Sequence, residues 1–221
     1  MVLRGESFNQ RKMVNNYDRI ASTYDRLSRL VFFQAQTNAQ KVQLPFIPPG
    51  SKILIVGGGT GWILEAIAKV PFSGLNITFV EISANMIALA RKVDAGNNKV
   101  FFLQGAIEDQ DFEHPFDVVI TAFLFDNFGG PRAEQVFEKL HGILKNGGLW
   151  LFSDFSETST RPWQSVLLKL MYAFFRQIAQ VEANSLFNTA HLFQKHGYRR
   201  VFHKLYYWKF IESSVYEKDQ V

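Results

Sequence analysis

Past residue 50, short β-branched apolar runs alternate with segments whose apolar residues recur every three or four positions. The first run, Lys52–Val56, ends in glycines and reads as a buried strand. Trp62, Ile63, Ala66, Ile67 and Val70 then share one face, which predicts a helix over 60–70. Further strands are expected over 76–80, 99–103, 116–121 and 149–153, with helices over 83–93 and 132–144. Gly147 and Gly148 are expected to stop the last of these helices before the fifth strand. Alternation of this kind predicts a parallel sheet with helices on both faces, because each parallel crossover must pass over the sheet.

The two ends of the chain read differently. Over 8–43, Tyr17, Ile20, Ala21, Tyr24, Leu27, Leu30 and Val31 make one apolar stripe on a polar, helix-prone background. Pro48 and Pro49 stop it. Over 161–180 a helix is expected with apolar residues nearly all round, among them Trp163, Val166, Leu170, Tyr172 and Phe175. A further helix over 188–196 precedes Gly197, and two closing strands are expected over 199–205 and 209–216.

Composition narrows the chemistry. A chain of 221 residues with 47% apolar content suits one α/β domain with a sizeable core. The absence of cysteine excludes disulfides, thiolate metal sites and cysteine nucleophiles. Five histidines without ligand spacing lead us to expect no structural metal. No stretch reaches the roughly 18 apolar residues of a membrane span, and the opening MVLRGESFNQRK lacks the apolar core of a signal peptide, so a cytoplasmic protein is expected. The net charge of +4 divides into +4 over 1–50, −5 over 51–160 and +5 over 161–221. A basic flank can attract nucleic acid or an anionic substrate, or can be an ordinary solvated face.

The run Ile53-Leu54-Ile55-Val56-Gly57-Gly58-Gly59-Thr60-Gly61 puts a glycine cluster at the first strand-to-helix turn, where open parallel sheets bind ligands. A dinucleotide loop wants Gly-x-Gly-x-x-Gly, but its third glycine would fall on Trp62 or Leu64. The spacing here is Gly57-x-Gly59-x-Gly61, which disfavours a nicotinamide oxidoreductase. Glu81, just past the second strand, stands where a carboxylate can accept both hydroxyls of a ribose.

These residues resemble the class I S-adenosylmethionine-dependent methyltransferases. The resemblance covers roughly 17–155 and rests on ILIVGGGTG (53–61), FVEIS-ANMIALAR (79–91), QGAIED (104–109), FDVVITAFLF (116–125) and LKNGGLWLFSDF (144–155). The opening YDRIASTYD (17–25) is similar to the segment preceding the cofactor domain in quinone-type small-molecule methyltransferases. The resemblance implies a Rossmann-like sheet of seven strands, mostly parallel, with an antiparallel last strand. It implies one domain over 1–221, with a helical cap (1–48), a cofactor-binding core (49–160), a helical lid or substrate region (161–197) and closing strands (198–221).

It also implies S-adenosylmethionine as cofactor and S-adenosylhomocysteine as product. Gly57, Gly59 and Gly61, with Gly58 among them, would line the methionine and ribose portion, and Glu81 would hold the ribose hydroxyls. Ile82 and Met86 would pack on adenine, Ala106 and Ile107 would edge it, and Thr121 would lie near the methionine. Tyr17 and Tyr24 would fold over the methionine end. Two positions depart from the family pattern: Ile55 stands where an acid often precedes the first glycine, and Ala106 where an aspartate often accepts from the adenine amine. Glu108 or a backbone carbonyl is expected to take the latter role.

Methyl transfer from a sulfonium needs alignment above all, and a general base only if the acceptor must lose a proton. Asp126 after strand four and Asp154 after strand five are the candidate catalytic acids, with Trp163, Tyr172 and His196 on the substrate side. The strand-four exit TAFLFDN is unlike the Asn-Pro-Pro-Tyr of amine methylases, and a covalent cysteine adduct is unavailable to this chain. A small aromatic or lipophilic acceptor is therefore expected. The 161–180 helix reads as a lid over it, as a homodimer contact or as plain core. The alternatives are an RNA methyltransferase, a non-catalytic S-adenosylmethionine-binding protein and an aminopropyltransferase-like enzyme. Nucleic acid is not the expected partner.

Overall fold

The computed structural model describes residues 34–71, 74–156 and 186–220. Seven strands form one sheet: β1 Lys52–Val56, β2 Asn76–Glu81, β3 Lys99–Gln104, β4 Phe116–Ala122, β5 Leu144–Phe155, β6 Arg199–Tyr206 and β7 Ile211–Glu217. Their spatial order is β3-β2-β1-β4-β5-β7-β6. The first five are parallel, and β7 runs antiparallel to both β5 and β6. The helices are α1 Ala35–Lys41, α2 Trp62–Ala68, α3 Ala84–Ala90, α4 Gly130–Ile143 and α5 Ala190–Lys195.

Period-two alternation splits the core into two layers. Leu54, Val56, Val119, Trp150, Phe152 and Tyr216 face Val136, Phe137 and Leu140 of α4 and Phe193 of α5. Ile53, Ile55, Val118, Ile120, Leu151 and Val215 face Ile63 and Ile67 of α2 and Ala90 of α3. Six of the chain's 22 phenylalanines are buried in the first layer. Phe137 stacks on Trp150 at 4.9 Å and Phe193 on Tyr216 at 3.8 Å, with Phe125, Phe128 and Phe152 around them. Such pairs add about 0.5–1.5 kcal/mol each beyond their buried area.

The glycine pair before strand five does something other than cap a helix. Helix α4 ends at Ile143, β5 begins at once with Leu144, and Gly147 and Gly148 lie inside the strand. There the pairing with β4 shifts register between Phe116 and Val118. A Cβ on Gly148 would stand 2.8 Å from the Lys145 carbonyl oxygen and 3.0 Å from that of Asp117, so the bulge admits no side chain. The last hairpin also differs from expectation. Lys209 and Phe210 belong to its turn, and Tyr207, Trp208 and Lys209 all take left-handed backbone (φ 48°, 52° and 70°). Of the expected 8–43 helix, the described part is α1 followed by a 3-10 turn at Leu44–Phe46. The expected 161–180 helix lies outside the described residues.

Candidate functional site

Parallel pairing aligns the ends of β1, β2 and β4 along one edge, and the loops leaving them enclose a cavity of about 480 Å³. The glycine loop forms its floor. Gly57 N–H donates to Val80 O (2.9 Å), and Gly59 N–H donates to Glu81 Oε2 (3.0 Å). Glu81 Oε1 accepts from Ser83 N–H (3.0 Å), so one carboxylate joins the loop after β1 to the turn after β2. Glu81 is only 6% exposed, and it lines the cavity with Ile82 and Met86. Ser83 caps α3, its hydroxyl accepting from Met86 N–H (3.1 Å), which fixes Met86 beside the loop.

Beyond β3, Gly105, Ala106, Ile107 and Glu108 make one wall. The Glu108 carboxylate accepts from Arg132 Nε at 2.6 Å, while the Arg132 guanidinium lies 4.8 Å over the Phe128 ring. The Ala106 carbonyl accepts a bond from the Gln110 amide (3.3 Å). Glu108, expected to replace the missing aspartate, is thus engaged with a protein partner, as is the Ala106 carbonyl. The opposite end of the cavity is lined by Gln36, Thr37, Gln40 and Lys41 of α1 and by Phe123 after β4.

Several expected site residues fall elsewhere. Thr121 points into the core, where its hydroxyl accepts from the Trp150 indole N–H (2.9 Å); alternation turns Ile120 and Ala122 to the cavity instead. Gly61 (φ 83°) is the N-cap of α2 and lies against Ala90, whose Cβ would be 2.6 Å from a Cβ added there. His196 is outside the cavity lining; its Nε2 sits 2.8 Å from Glu138 Oε1 of α4. Tyr17, Tyr24, Trp163 and Tyr172 lie outside the described residues. Asn127, Phe128, Arg132 and the glutamines of α1 were not singled out by sequence, because nothing in their spacing marks them as facing one cavity.

Asp126 and Asp154 stand close enough for the charge of Asp154 to act on Asp126, behind Asn127. Asp154 accepts from the Phe125 and Phe155 backbone N–H groups (3.1 and 2.8 Å). Its burial outweighs those bonds and pushes its pKa up to about 7, with the Glu212 charge adding to the rise. Burial, then the Asp154 charge, raises Asp126 well above the usual carboxylate range. Asp126 Oδ1 accepts from the Asn127 amide (2.8 Å), and that amide lines the cavity. Neither acid is itself part of the lining.

A third apolar cluster stands at the same edge: Ala39, Phe155, Phe210 and Ile211, with Ala35, Phe123, Leu186, Tyr206 and Tyr207 packed on it. Phe123 belongs to both this cluster and the cavity wall.

Residues 53–148 match a family model described as a methyltransferase domain. Over 173 residues the chain is 30% identical to the demethylmenaquinone methyltransferase of Chlorobaculum tepidum, covering 74% of this chain and 66% of that protein. The chain belongs to the class I S-adenosylmethionine-dependent methyltransferases. Among its relatives in this class is the malonyl-[acyl-carrier protein] O-methyltransferase of Priestia megaterium, 29% identical over 66% of this chain and 52% of that one. The chain spans about half to two thirds of the length of these two methyltransferases. The fold matches the Burkholderia thailandensis 1,6-didemethyltoxoflavin-N1-methyltransferase, solved with bound 1,6-didemethyltoxoflavin and S-adenosylhomocysteine. That likeness has a TM-score of 0.65 and 16% identity over 91% of this chain and 86% of that one. Among the described residues no helix is long and apolar enough to cross a membrane, and no group of three or more His, Asp or Glu is placed to hold a metal ion.

Proposed function

We propose that this protein methylates a small aromatic or lipophilic acceptor, with S-adenosylmethionine as donor, in a cytoplasmic setting. The observation that carries the reading is the meeting, at Phe123, of a glycine-floored, acid-bearing cavity with the aromatic cluster of Phe155, Phe210 and Tyr207. When bound, S-adenosylmethionine supplies an electrophilic methyl on a sulfonium whose leaving group is a neutral thioether. The residues present fit that cofactor. Glu81 would accept the ribose hydroxyls, Ile82 and Met86 would give adenine an apolar face, and the bare backbone of Gly57–Gly59 would let the chain approach closely. The glutamines of α1 supply polar groups for the amino-acid end.

The protein's own contribution is then orientation and exclusion of water. Holding acceptor and donor in line is worth up to about 7–11 kcal/mol when the approach is well aligned. Phe123 and Phe155, whose rings are 5.1 Å apart, would seat a flat or greasy acceptor at the methionine end. Asp126 and Asp154 stand behind the cavity wall, so their part would be positioning: Asp126 holds the side-chain amide of Asn127, a residue of the lining. The quinone methyltransferase among the relatives supports the acceptor class.

Calorimetric titration tests the reading. S-adenosylmethionine and S-adenosylhomocysteine are expected to bind in the micromolar range, NADH not at all, and Glu81→Ala should weaken both at least tenfold. A competent enzyme then forms S-adenosylhomocysteine with a quinol-type or other lipophilic phenol. Binding without product across such a panel would leave a cofactor-binding module, and no binding would remove the methyltransferase reading. RNA as acceptor would instead show as steeply salt-dependent RNA binding.

A further inference from the structure

We propose that the β6–β7 hairpin tip seats the acceptor mouth of the protein on an anionic lipid surface. The tip reads His203-Lys204-Leu205-Tyr206-Tyr207-Trp208-Lys209-Phe210: three consecutive polar-tipped aromatics flanked by two lysines, with no acid. Trp208 is 58% exposed, one of two large apolar side chains so exposed among the described residues, and Lys204 and Lys209 are exposed beside it. The Lys204 ammonium lies 5.1 Å over the Tyr206 ring, and Tyr207 packs edge-on against Trp208 at 5.1 Å. Tryptophan, tyrosine and lysine together are the composition of the membrane–water interface, where amphipathic rings sit at headgroup level and cations meet anionic lipid.

Position gives this composition its meaning. Ile211 opens β7 opposite Phe155, the last residue of β5, so the tip lies at the carboxyl edge of the parallel strands. It is joined there by Ser156 N–H donating to Phe210 O (2.9 Å). Tyr206 and Tyr207 pack on the cluster that holds Phe123, the residue shared with the cavity. The left-handed turn leaves Trp208 exposed while Tyr207 and Phe210 stay on that cluster. A lipid acceptor leaving a bilayer beside Trp208 would pass along Tyr207, Phe210 and Phe155 to reach Phe123. The chemistry of the tip selects an anionic surface, since residues 203–210 carry Lys204 and Lys209 and no acid.

This inference rests on the lipophilic-acceptor reading above, so its test is run without any acceptor. The purified full chain is sedimented with phosphatidylcholine vesicles and with vesicles containing phosphatidylglycerol. S-adenosylmethionine affinity is measured on the same samples. The wild type is expected to bind only the anionic vesicles, and brominated lipid should quench the fluorescence that Trp208→Phe removes. Lys204→Gln with Lys209→Gln should weaken binding about 30-fold, at about fivefold per surface cation, with cofactor affinity unchanged. Trp208→Ser should also weaken it. Absence of vesicle binding, or binding indifferent to these variants, overturns the inference while intact cofactor affinity leaves the methyltransferase reading standing. Trp208→Ser changing the oligomeric state without vesicle binding would likewise overturn it, marking the tip as a contact between copies.

Discussion

Gly61 shows how narrowly a single position is constrained. A side chain there would adopt a left-handed φ of 83° and press its Cβ to 2.6 Å from Ala90 Cβ and 2.8 Å from Ala90 Cα. Gly61→Ala is therefore expected to cost about 2–5 kcal/mol, from left-handed strain plus overpacking against backbone. Adding Ala90→Gly should recover part of that loss in urea unfolding, because it removes one of the two colliding atoms; simple additivity would show that no contact is involved. At Asp154 the constraint is electrostatic. Its folded pKa of about 7 lies above the ordinary 3.8, so the folded state holds a proton that the unfolded chain has released in between. That contribution to stability is present at low pH and is lost as pH rises toward 7. Asp154→Asn is expected to be destabilised by about 1–3 kcal/mol at pH 5, since one carboxyl oxygen accepting a backbone N–H is replaced by a donor. The gap should narrow by pH 8, as the wild type alone carries the buried charge. Thermal melts at the two pH values with parallel wild-type and variant shifts would refute this.

Between elements, the clearest tie is the Gln43 amide just after α1. Its nitrogen lies within hydrogen-bond distance of Phe152 O (2.6 Å), Ser153 Oγ (3.1 Å), Ser213 Oγ (3.0 Å) and Ser214 O (3.2 Å), so its two N–H groups are shared among acceptors on β5 and β7. Gln43→Leu keeps the volume but abandons buried acceptors, at an expected cost of about 1–3 kcal/mol. Hydrogen exchange should quicken first in α1, with β1–β3 little changed. No spacing rule reveals such a tie, because glutamine is neutral in every pattern that marks a strand or helix. What sequence does reveal is whatever repeats: the β-branched runs of β1, β2 and β4 and the glycines at 57, 58 and 59 place the sheet and the cavity floor. It misleads where one residue type serves two geometries. Gly147 and Gly148 read as a helix stop yet form a bulge, and Lys209 reads as strand while sitting in a left-handed turn built without glycine. Thr121 shows the same limit inside the site. Its nearness to the cavity follows from strand order, but whether it faces the cavity or Trp150 depends on a parity set by register.

At the scale of the whole molecule, the cavity gathers residues from α1, the β1 loop, the β2 turn, the β3 exit and the start of α4, stretches separated by up to about a hundred positions. A ligand held by all of them binds the folded sheet and nothing in the unfolded chain, so its binding energy appears as stability. At a hundredfold excess over its dissociation constant the gain is about 2.7 kcal/mol, which for a domain of this size raises the melting temperature by about 5–10 °C. S-adenosylmethionine and S-adenosylhomocysteine are expected to give this shift and NADH none, by scanning fluorimetry at matched excess. Glu81→Ala should lower the starting temperature, because Gly59 and Ser83 lose their buried acceptor, and should also cut the shift by about half or more at the wild-type ligand concentration. The contacts involved are backbone N–H groups and a buried carboxylate rather than surface cations, so the shift should survive high salt, which would suppress binding of an RNA to the basic flanks. A shift that vanished with salt would place the ligand on the surface charge of the ends and not in the crevice between β1, β2 and β4.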